Sequence, residues 1–219
     1  MSAGTVPTTG KKQATRASGL WALWVLPCVG VAGYAVLRYL ILPPSQGHFA
    51  QRLLLLQVHA GGGALALLTG PWQFRTRLRD RYRQWHRWSG RIFLLSVGAS
   101  SLAGLILSFY SQEGWATHSG FALLAVIWFS TGWMGYRAAR AGRFQVHRQW
   151  VVRCFALALA AVTLRIQLPL LLFVAHSSFH AAYIAVSWLS WMPNLLFAEW
   201  WLSRTRRSVV TPPGSVPGR

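Results

Sequence analysis

The stretch that decides the fold is LLLLQVHAGGGALALLTGPWQFRTRLRDRYRQWHRWSGR, residues 53–91. Residues 53–72 carry no charged side chain, and a helix needs about 20 such residues to cross the hydrocarbon core of a bilayer. Residues 75–91 then carry seven arginines. An apolar run followed by a basic block is typical of a membrane-spanning helix that ends at the cytoplasmic surface.

The same alternation of apolar runs and basic connections extends along the chain. It predicts an all-α fold, a six-transmembrane-helix bundle with helices two to five as its core. Residues 1–19 are predicted to form a cytoplasmic tail. Residues 203–219, rich in Pro, Gly and Ser, are predicted to form a disordered cytoplasmic tail. The predicted spans are residues 20–42, 49–72, 88–110, 115–136, 149–174 and 182–202.

The charge balance is extreme, with 22 Lys and Arg against three acidic residues in 219. Nucleic-acid-binding proteins share such an excess, but here the basic residues form blocks between uncharged apolar runs, which favours a membrane protein and no nucleic-acid partner. With six spans, the blocks at residues 75–91, 137–153 and 204–207 face one side. The positive-inside rule then predicts that both termini are cytoplasmic. Anionic lipids on that side are the expected partners, and a membrane-protein partner or a homo-oligomer is left open.

An internal repeat links the second and fourth predicted spans. Residues 69–75, TGPWQFR, and residues 131–137, TGWMGYR, share Thr, Gly, an aromatic residue and a final Arg. In each copy a His-Arg pair follows 10 or 11 residues after that Arg, at His86 and at His147. We therefore expect two similar hairpins related by an axis along the membrane normal, with His86 and His147 at similar depth.

His59 is the histidine that lies deepest in a predicted span. It follows Leu53 by six residues, or about 9 Å of helix, and three glycines come after it. An ionisable residue inside the bilayer is costly and by default suggests a function with a partner. The alternative is a neutral histidine that bonds a neighbouring helix.

The four middle spans each offer one candidate ligand. His59 and His118 fall in the outer half, whereas His86 and His147 fall at the inner edge. Opposed histidines on separate helices hold b-type haem in membrane bundles, and the arrangement resembles the transmembrane dihaem cytochromes b. On this interpretation His59, His86 and His147 ligate haem iron or another metal. The candidates for binding haem propionates are Arg52, Arg91, Arg153 and Arg165.

Other interpretations of these residues remain open. His86 and His147 could contact lipid phosphate instead of a cofactor. His48, His176 and His180 could form an outer metal site, although solvated histidines are the simpler interpretation. Arg153 is expected to form a structural ion pair with Glu199, because both lie about one turn inside the same boundary. Arg165 has no acidic residue at its depth, which leaves an anionic ligand, a backbone carbonyl or a snorkelling side chain.

Several of these residues form a pattern that resembles a bacterial family of predicted multi-pass membrane proteins, whose domain has no known function. The match covers residues 50–169 and implies a multi-pass protein of the bacterial plasma (inner) membrane, but no activity. Val151 stands where that pattern has Met, and His118 is not part of it. The matching elements are His59, Gly70-Pro71-x-Gln73-Phe74, His86-Arg87-x-x-Gly90-Arg91, Trp128-x-x-Thr131, His147-Arg148-x-Trp150-x-x-Arg153 and Thr163-Leu164-Arg165.

The sequence contains no Walker loop, no CxxC and no HExxH motif, so it does not decide whether the protein is an enzyme. A haem-b-binding or other cofactor-binding redox component is the favoured function. One alternative is a small-solute or lipid-handling carrier with a cavity lined by His59 and Arg165. Another is a non-catalytic membrane assembly subunit.

Overall fold

The computed structural model describes residues 24–43 and 50–210, which are mostly helical, with short turns and connections and no β-strand. The predicted tail at residues 1–19 lies outside the described residues, as do His48 and residues 211–219. The helices are α1 (Trp24–Ile41), α2 (Leu53–Thr69), α3 (Thr76–Arg81), α4 (Arg83–Ser108), α5 (Trp115–Arg140), α6 (Phe144–Ala158), α7 (Ala160–Pro169), α8 (Phe179–Leu189) and α9 (Met192–Val210).

Several of these helices join into longer rods. Helix α2 continues through a 3₁₀ turn at Pro71–Phe74. Helices α6 and α7, with a π turn at Leu170–Val174, form one apolar rod over Phe144–Val174. Helices α8 and α9 form another over Phe179–Thr205. The last turns of α1, Val36–Ile41, are also π-helical.

Within the described residues, five helical stretches are long and apolar enough to cross a membrane. Helix α5, the fourth predicted span, forms a continuous helix of 26 residues but is not among the five. Its polar and small residues, among them Thr117, His118 and Ser119, lower its hydropathy. The membrane-protein class is therefore supported, whereas the count of six spans stays a prediction.

The helices extend beyond the predicted spans at their basic ends. Helix α4 begins at Arg83 rather than residue 88, and α6 begins at Phe144 rather than residue 149. Helix α9 continues to Val210, past the predicted end at residue 202. Arginine is a good helix former, so the basic blocks lengthen the helices. His86 and His147 accordingly lie inside the first turns of α4 and α6.

Helices α2, α4, α5 and α6 pack in that order, each antiparallel to the next. Gly62 of α2 sets the closest approach, since a Cβ there would lie 2.9 Å from Ser100 Cβ and 3.0 Å from the Ser96 carbonyl oxygen of α4. The buried cluster also includes Cys28 and Ala32 of α1, and Trp191 between α8 and α9. The core is thus wider than predicted spans two to five.

The two glycines of the repeat pack across the hairpins. A Cβ at Gly70, in the first hairpin, would clash with the ring of Phe155 in the second. A Cβ at Gly132, in the second hairpin, would lie 3.2 Å from Val97 in the first. Each hairpin therefore places the glycine of the repeat in a close contact with the other hairpin.

Candidate functional site: a cavity inside the bundle

A cavity of about 530 Å³ lies between α1, α2, α4, α5, the α6–α7 rod and α8. This volume is within the range of small-molecule pockets, about 300–1,000 Å³. The cavity forms because the side chains that face each other here are small, so they do not fill the space between the helices. The small lining residues include Ala60, Gly63, Ala64, Ser101, Gly104, Ala125, Ala158 and Ala161.

His59 lines this cavity from α2. Its Nδ1 lies 2.9 Å from the Ser100 carbonyl oxygen, and the Ser100 hydroxyl donates to the His59 carbonyl oxygen at 2.7 Å. Because a carbonyl oxygen only accepts, Nδ1 carries the proton, and Nε2 of the neutral ring keeps its lone pair. No described group bonds Nε2. An imidazole held through one nitrogen with the other available is the usual arrangement of a metal-ligating histidine.

Gly104 of α4 provides the space for this imidazole. A Cβ at position 104 would come within 2.8 Å of His59 Nδ1 and 2.9 Å of Cε1. The Nδ1–Cε1 edge of the ring therefore rests against one face of α4, where the Ser100 carbonyl binds it and the bare backbone of Gly104 leaves space for it.

Arg165 lines the cavity from α7. Its Nη1 donates to the Ala161 carbonyl oxygen at 2.8 Å, and its guanidinium lies 5.3 Å from the centre of the Tyr34 ring. Its Nε is buried and has no hydrogen-bond partner in the described part of the chain. The sequence left three possibilities for Arg165: an anionic ligand, a backbone carbonyl or a snorkelling side chain. The structure shows a bond to a backbone carbonyl, which leaves the Nε donor of the guanidinium without a partner in the described chain.

Polarity changes along the cavity. We call the end where α4 and α6 begin the basic end, and the opposite end, at the α4–α5 connection, the far end. The lining near the far end includes Arg38, Tyr39, Ser111, Arg165 and Tyr183. Toward the basic end the lining is apolar, with Leu67, Trp128 and Leu157. None of the described lining residues is acidic, so Arg38 and Arg165 have no carboxylate partner on the cavity wall.

His118 does not reach this cavity. It lies in the first turns of α5, where its Nε2 is 2.7 Å from the Ser111 carbonyl oxygen and its ring meets Trp115 edge-on. The structure therefore brings one of the two predicted outer histidines to the cavity and uses the other to hold the α4–α5 connection.

His86 and His147 lie near each other at the basic end, close enough to interact electrostatically, and do not line the cavity. His147 Nδ1 donates to the Gly135 carbonyl oxygen at 2.8 Å. His86 Nδ1 is buried without a partner among the described residues. The first hairpin has a 3₁₀ turn at Pro71–Phe74, where the second hairpin has the regular helix that presents the Gly135 carbonyl.

The remaining predicted anion-binding arginines have protein partners of their own. Arg153 forms a two-point ion pair with Glu199 through Nε–Oε1 and through Nη2–Oε2 at 2.9 Å, which confirms the expected structural pair. Arg91 lies 4.9 Å from the centre of the Trp88 ring. Arg52 lies 3.5 Å from that of Tyr110. All three are outside the cavity lining.

The possible outer metal site stays a prediction, because His48 lies outside the described residues; within those residues there is no cluster of three or more His, Cys, Asp or Glu side chains. His180 Nδ1 instead lies 2.5 Å from Glu113 Oε2 and ties α8 to the α4–α5 connection. His176 adopts a positive φ of 49° in the turn before α8.

The sequence analysis did not identify two residues that position His59, Ser100 and Gly104. It also did not identify three residues of the cavity wall, Tyr39, Tyr183 and Ser190. Ser190 Oγ is another buried group without a partner in the described chain. The signal for the first two was present, since residues 96–104, SVGASSLAG, carry small side chains on successive turns of α4. Opposite the three glycines of α2, such residues predict close packing around His59.

Comparison with known proteins adds one match. A family model described as a predicted membrane protein (DUF2306) matches residues 56–202. No curated protein and no solved structure matches the chain. The matched residues include α2, α4, α5 and the α6–α7 rod, hence most of the cavity wall with His59 and Arg165. The chain therefore belongs to the DUF2306 family of predicted membrane proteins.

Proposed function

We propose that this membrane protein binds an organic cofactor inside its helix bundle, and that the cofactor is haem b. The observation that carries the proposal is the cavity of about 530 Å³ with His59 on its wall. The imidazole is held through Nδ1 and keeps a lone pair on Nε2. Helix bundles build haem sites from such inward-facing histidines.

The donor set fits one haem rather than two. His59 would hold the iron through Nε2, and the Ser100 carbonyl would fix the ring orientation. The small residues leave room for a flat molecule. When bound, haem would supply one-electron transfer, with its potential influenced by the apolar walls. His86, His118 and His147 lie outside the lining, so they are not included in this site.

The expected placement in the membrane is part of the same proposal. The arginine-rich connections at residues 75–91 and 137–153 favour a cytoplasmic basic end in a bacterial inner membrane. In the described chain, the carboxylates at that end are Asp80 and Glu199, which pair with Arg79 and Arg153. The other basic side chains favour anionic lipid headgroups as partners. An assembly subunit would use the same surface against an acidic protein.

A carrier is the second candidate, and one observation favours it. A carrier requires a cavity that reaches Arg165, and the observed cavity does. In that case His59 and Arg165 would recognise a transported solute rather than a resident cofactor.

The test is the visible spectrum of the full chain expressed with ample haem, oxidised and reduced. We expect a Soret band that His59→Ala abolishes. Gly104→Ala should weaken the band, because its Cβ would occupy the space of the imidazole. Gly98→Ala is the matched control on the same helix, since no atom lies within 4 Å of its Cβ.

His118→Ala should leave the spectrum unchanged, since that side chain lies outside the lining. Folded wild-type protein without a Soret band would exclude haem b and leave the carrier. A band that survives His59→Ala would assign the iron to another ligand.

A further inference from the structure

Arg165 has a charge that the described protein does not balance. It projects from an apolar helix, and a cation in such surroundings is stable only with a partner or with access to water. The acidic side chains of the described chain lie elsewhere: Glu113 bonds His180, Glu199 pairs with Arg153, and Asp80 pairs with Arg79. The buried, unpartnered Nε of Arg165 is therefore a donor for a group that the described residues do not provide.

A second cation lines the same end of the cavity. Arg38 lies in the π-helical segment of α1, and its Nη1 donates a hydrogen bond of 3.1 Å to the Leu42 carbonyl oxygen. Gln57 of α2 bonds the Tyr39 carbonyl oxygen in the same segment at 3.3 Å. The π segment is thereby attached to the helix that carries His59.

We propose that Arg165, assisted by Arg38, binds a carboxylate of the ligand, which is an amphipathic acid with its apolar body directed toward the basic end. The inference rests on the cavity described under the proposed function and names the chemistry that the cavity selects. Guanidinium groups bind carboxylates through paired hydrogen bonds. Leu67, Trp128 and Leu157 form the apolar part of the lining that the body of the ligand would contact.

Two sources share this chemistry, the propionates of haem b and the head group of a fatty acid. The experiment uses the full chain in phosphatidylcholine nanodiscs and two matched pairs of probes. One pair is oleate and oleyl alcohol, and the other is haem b and its dimethyl ester. Binding is measured by native mass spectrometry for the wild type, for Arg165→Gln and for Arg52→Gln. Arg52 is the matched control, a far-end arginine that stacks on Tyr110 outside the cavity.

We expect the wild type to bind the acid of at least one pair roughly tenfold more tightly than its neutral analogue, the factor that one charge-assisted hydrogen bond commonly contributes. Arg165→Gln should lose this preference and Arg52→Gln should keep it. A preference confined to the haem pair identifies propionates, and one confined to the oleate pair identifies a fatty acid.

Equal binding of acid and neutral analogue by the wild type would overturn the carboxylate inference and leave the cavity proposal in place. A preference that persists in Arg165→Gln would overturn the role of Arg165. If the wild type bound none of the four probes, the carboxylate inference and the haem b proposal would both fall, and the carrier would remain as the candidate function. The comparison within the wild type holds even if Arg165→Gln does not fold.

Discussion

At the scale of single residues, the ion pair of Arg153 with Glu199 could be predicted because acidic residues are so few. Only three acidic residues occur in the chain, so a charge inside a span has few partners to choose from. The Arg153 side chain is 14 % exposed and Glu199 is 47 % exposed. Arg153 therefore depends on this carboxylate more than the reverse.

Glu199→Gln should lower the free energy of unfolding by about 2 kcal/mol, below the roughly 3–5 kcal/mol for a fully buried pair, because Glu199 is half exposed. The measurement is reversible unfolding of the purified protein in mixed detergent micelles. Asp80→Asn is the control, since its pair with Arg79 is exposed on both sides and should contribute less than about 1 kcal/mol. Equal effects of the two changes would contradict the structural role of the Arg153 pair.

His59 and Arg165 could be identified from the sequence because each is an ionisable residue within an apolar run. The residues that surround them could not be identified in this way. The Ser100 carbonyl that holds His59 belongs to the backbone of another helix, and its position depends on how α2 and α4 are rotated. The surroundings of His118 were not predictable either. It was expected in the same half of the membrane as His59, but it lies against the α4–α5 connection.

At the scale of helices, the glycines decide how closely the elements approach. Gly62 and Gly63 are neighbours in sequence but differ in surroundings. A Cβ at position 62 would lie 3.0 Å from the Ser96 carbonyl oxygen, whereas one at position 63 would meet only Ser100 Oγ, at 3.6 Å. The α2–α4 contact therefore depends on one glycine of the three.

Gly62→Ala should destabilise the protein by about 1–3 kcal/mol, because the backbones of α2 and α4 must separate. Gly63→Ala should be neutral or stabilising by up to about 1 kcal/mol, since alanine favours the helix. Both are measured by unfolding in mixed micelles. Comparable losses in the two variants would mean that α2 does not pack on α4 through Gly62.

The lengths of the helices were predictable only in their apolar parts. Arginine side chains mark where hydropathy ends, but they also continue a helix, and α4 and α6 begin earlier than hydropathy indicates. The 3₁₀ turn after Gly70 follows from Pro71, which has no N–H to donate. Prolines also adjoin the two π segments, since Pro169 directly precedes Leu170–Val174 and Pro43 follows the π-helical end of α1.

At the scale of the whole molecule, α5 decides the topology. If it crosses the bilayer, the connections at residues 75–91 and 137–153 lie on the same side. If it does not, they lie on opposite sides. Its packing between α4 and α6 and its length of 26 residues favour a crossing, although its hydropathy is lower than that of the other five.

Cysteine labelling in intact cells tests this topology. Arg79→Cys and Arg140→Cys, placed in a background in which the buried Cys28 and Cys154 are replaced by Ala, should both resist an impermeant maleimide. Gln112→Cys, an exposed position in the connection between α4 and α5, should react. Both side chains are exposed at positions 79 and 140, so either would be labelled if it faced outward. Labelling of only one of them would exclude the six-span arrangement.

The pairing of α6 with α9 has a consequence for biogenesis. A ribosome completes α6 well before it synthesises Glu199, so for that interval Arg153 enters the lipid without its carboxylate. An unpaired guanidinium is expected to stay near the headgroups until the last helix supplies its carboxylate. Chains that end before α9 would lack this carboxylate and leave Arg153 without its ion pair.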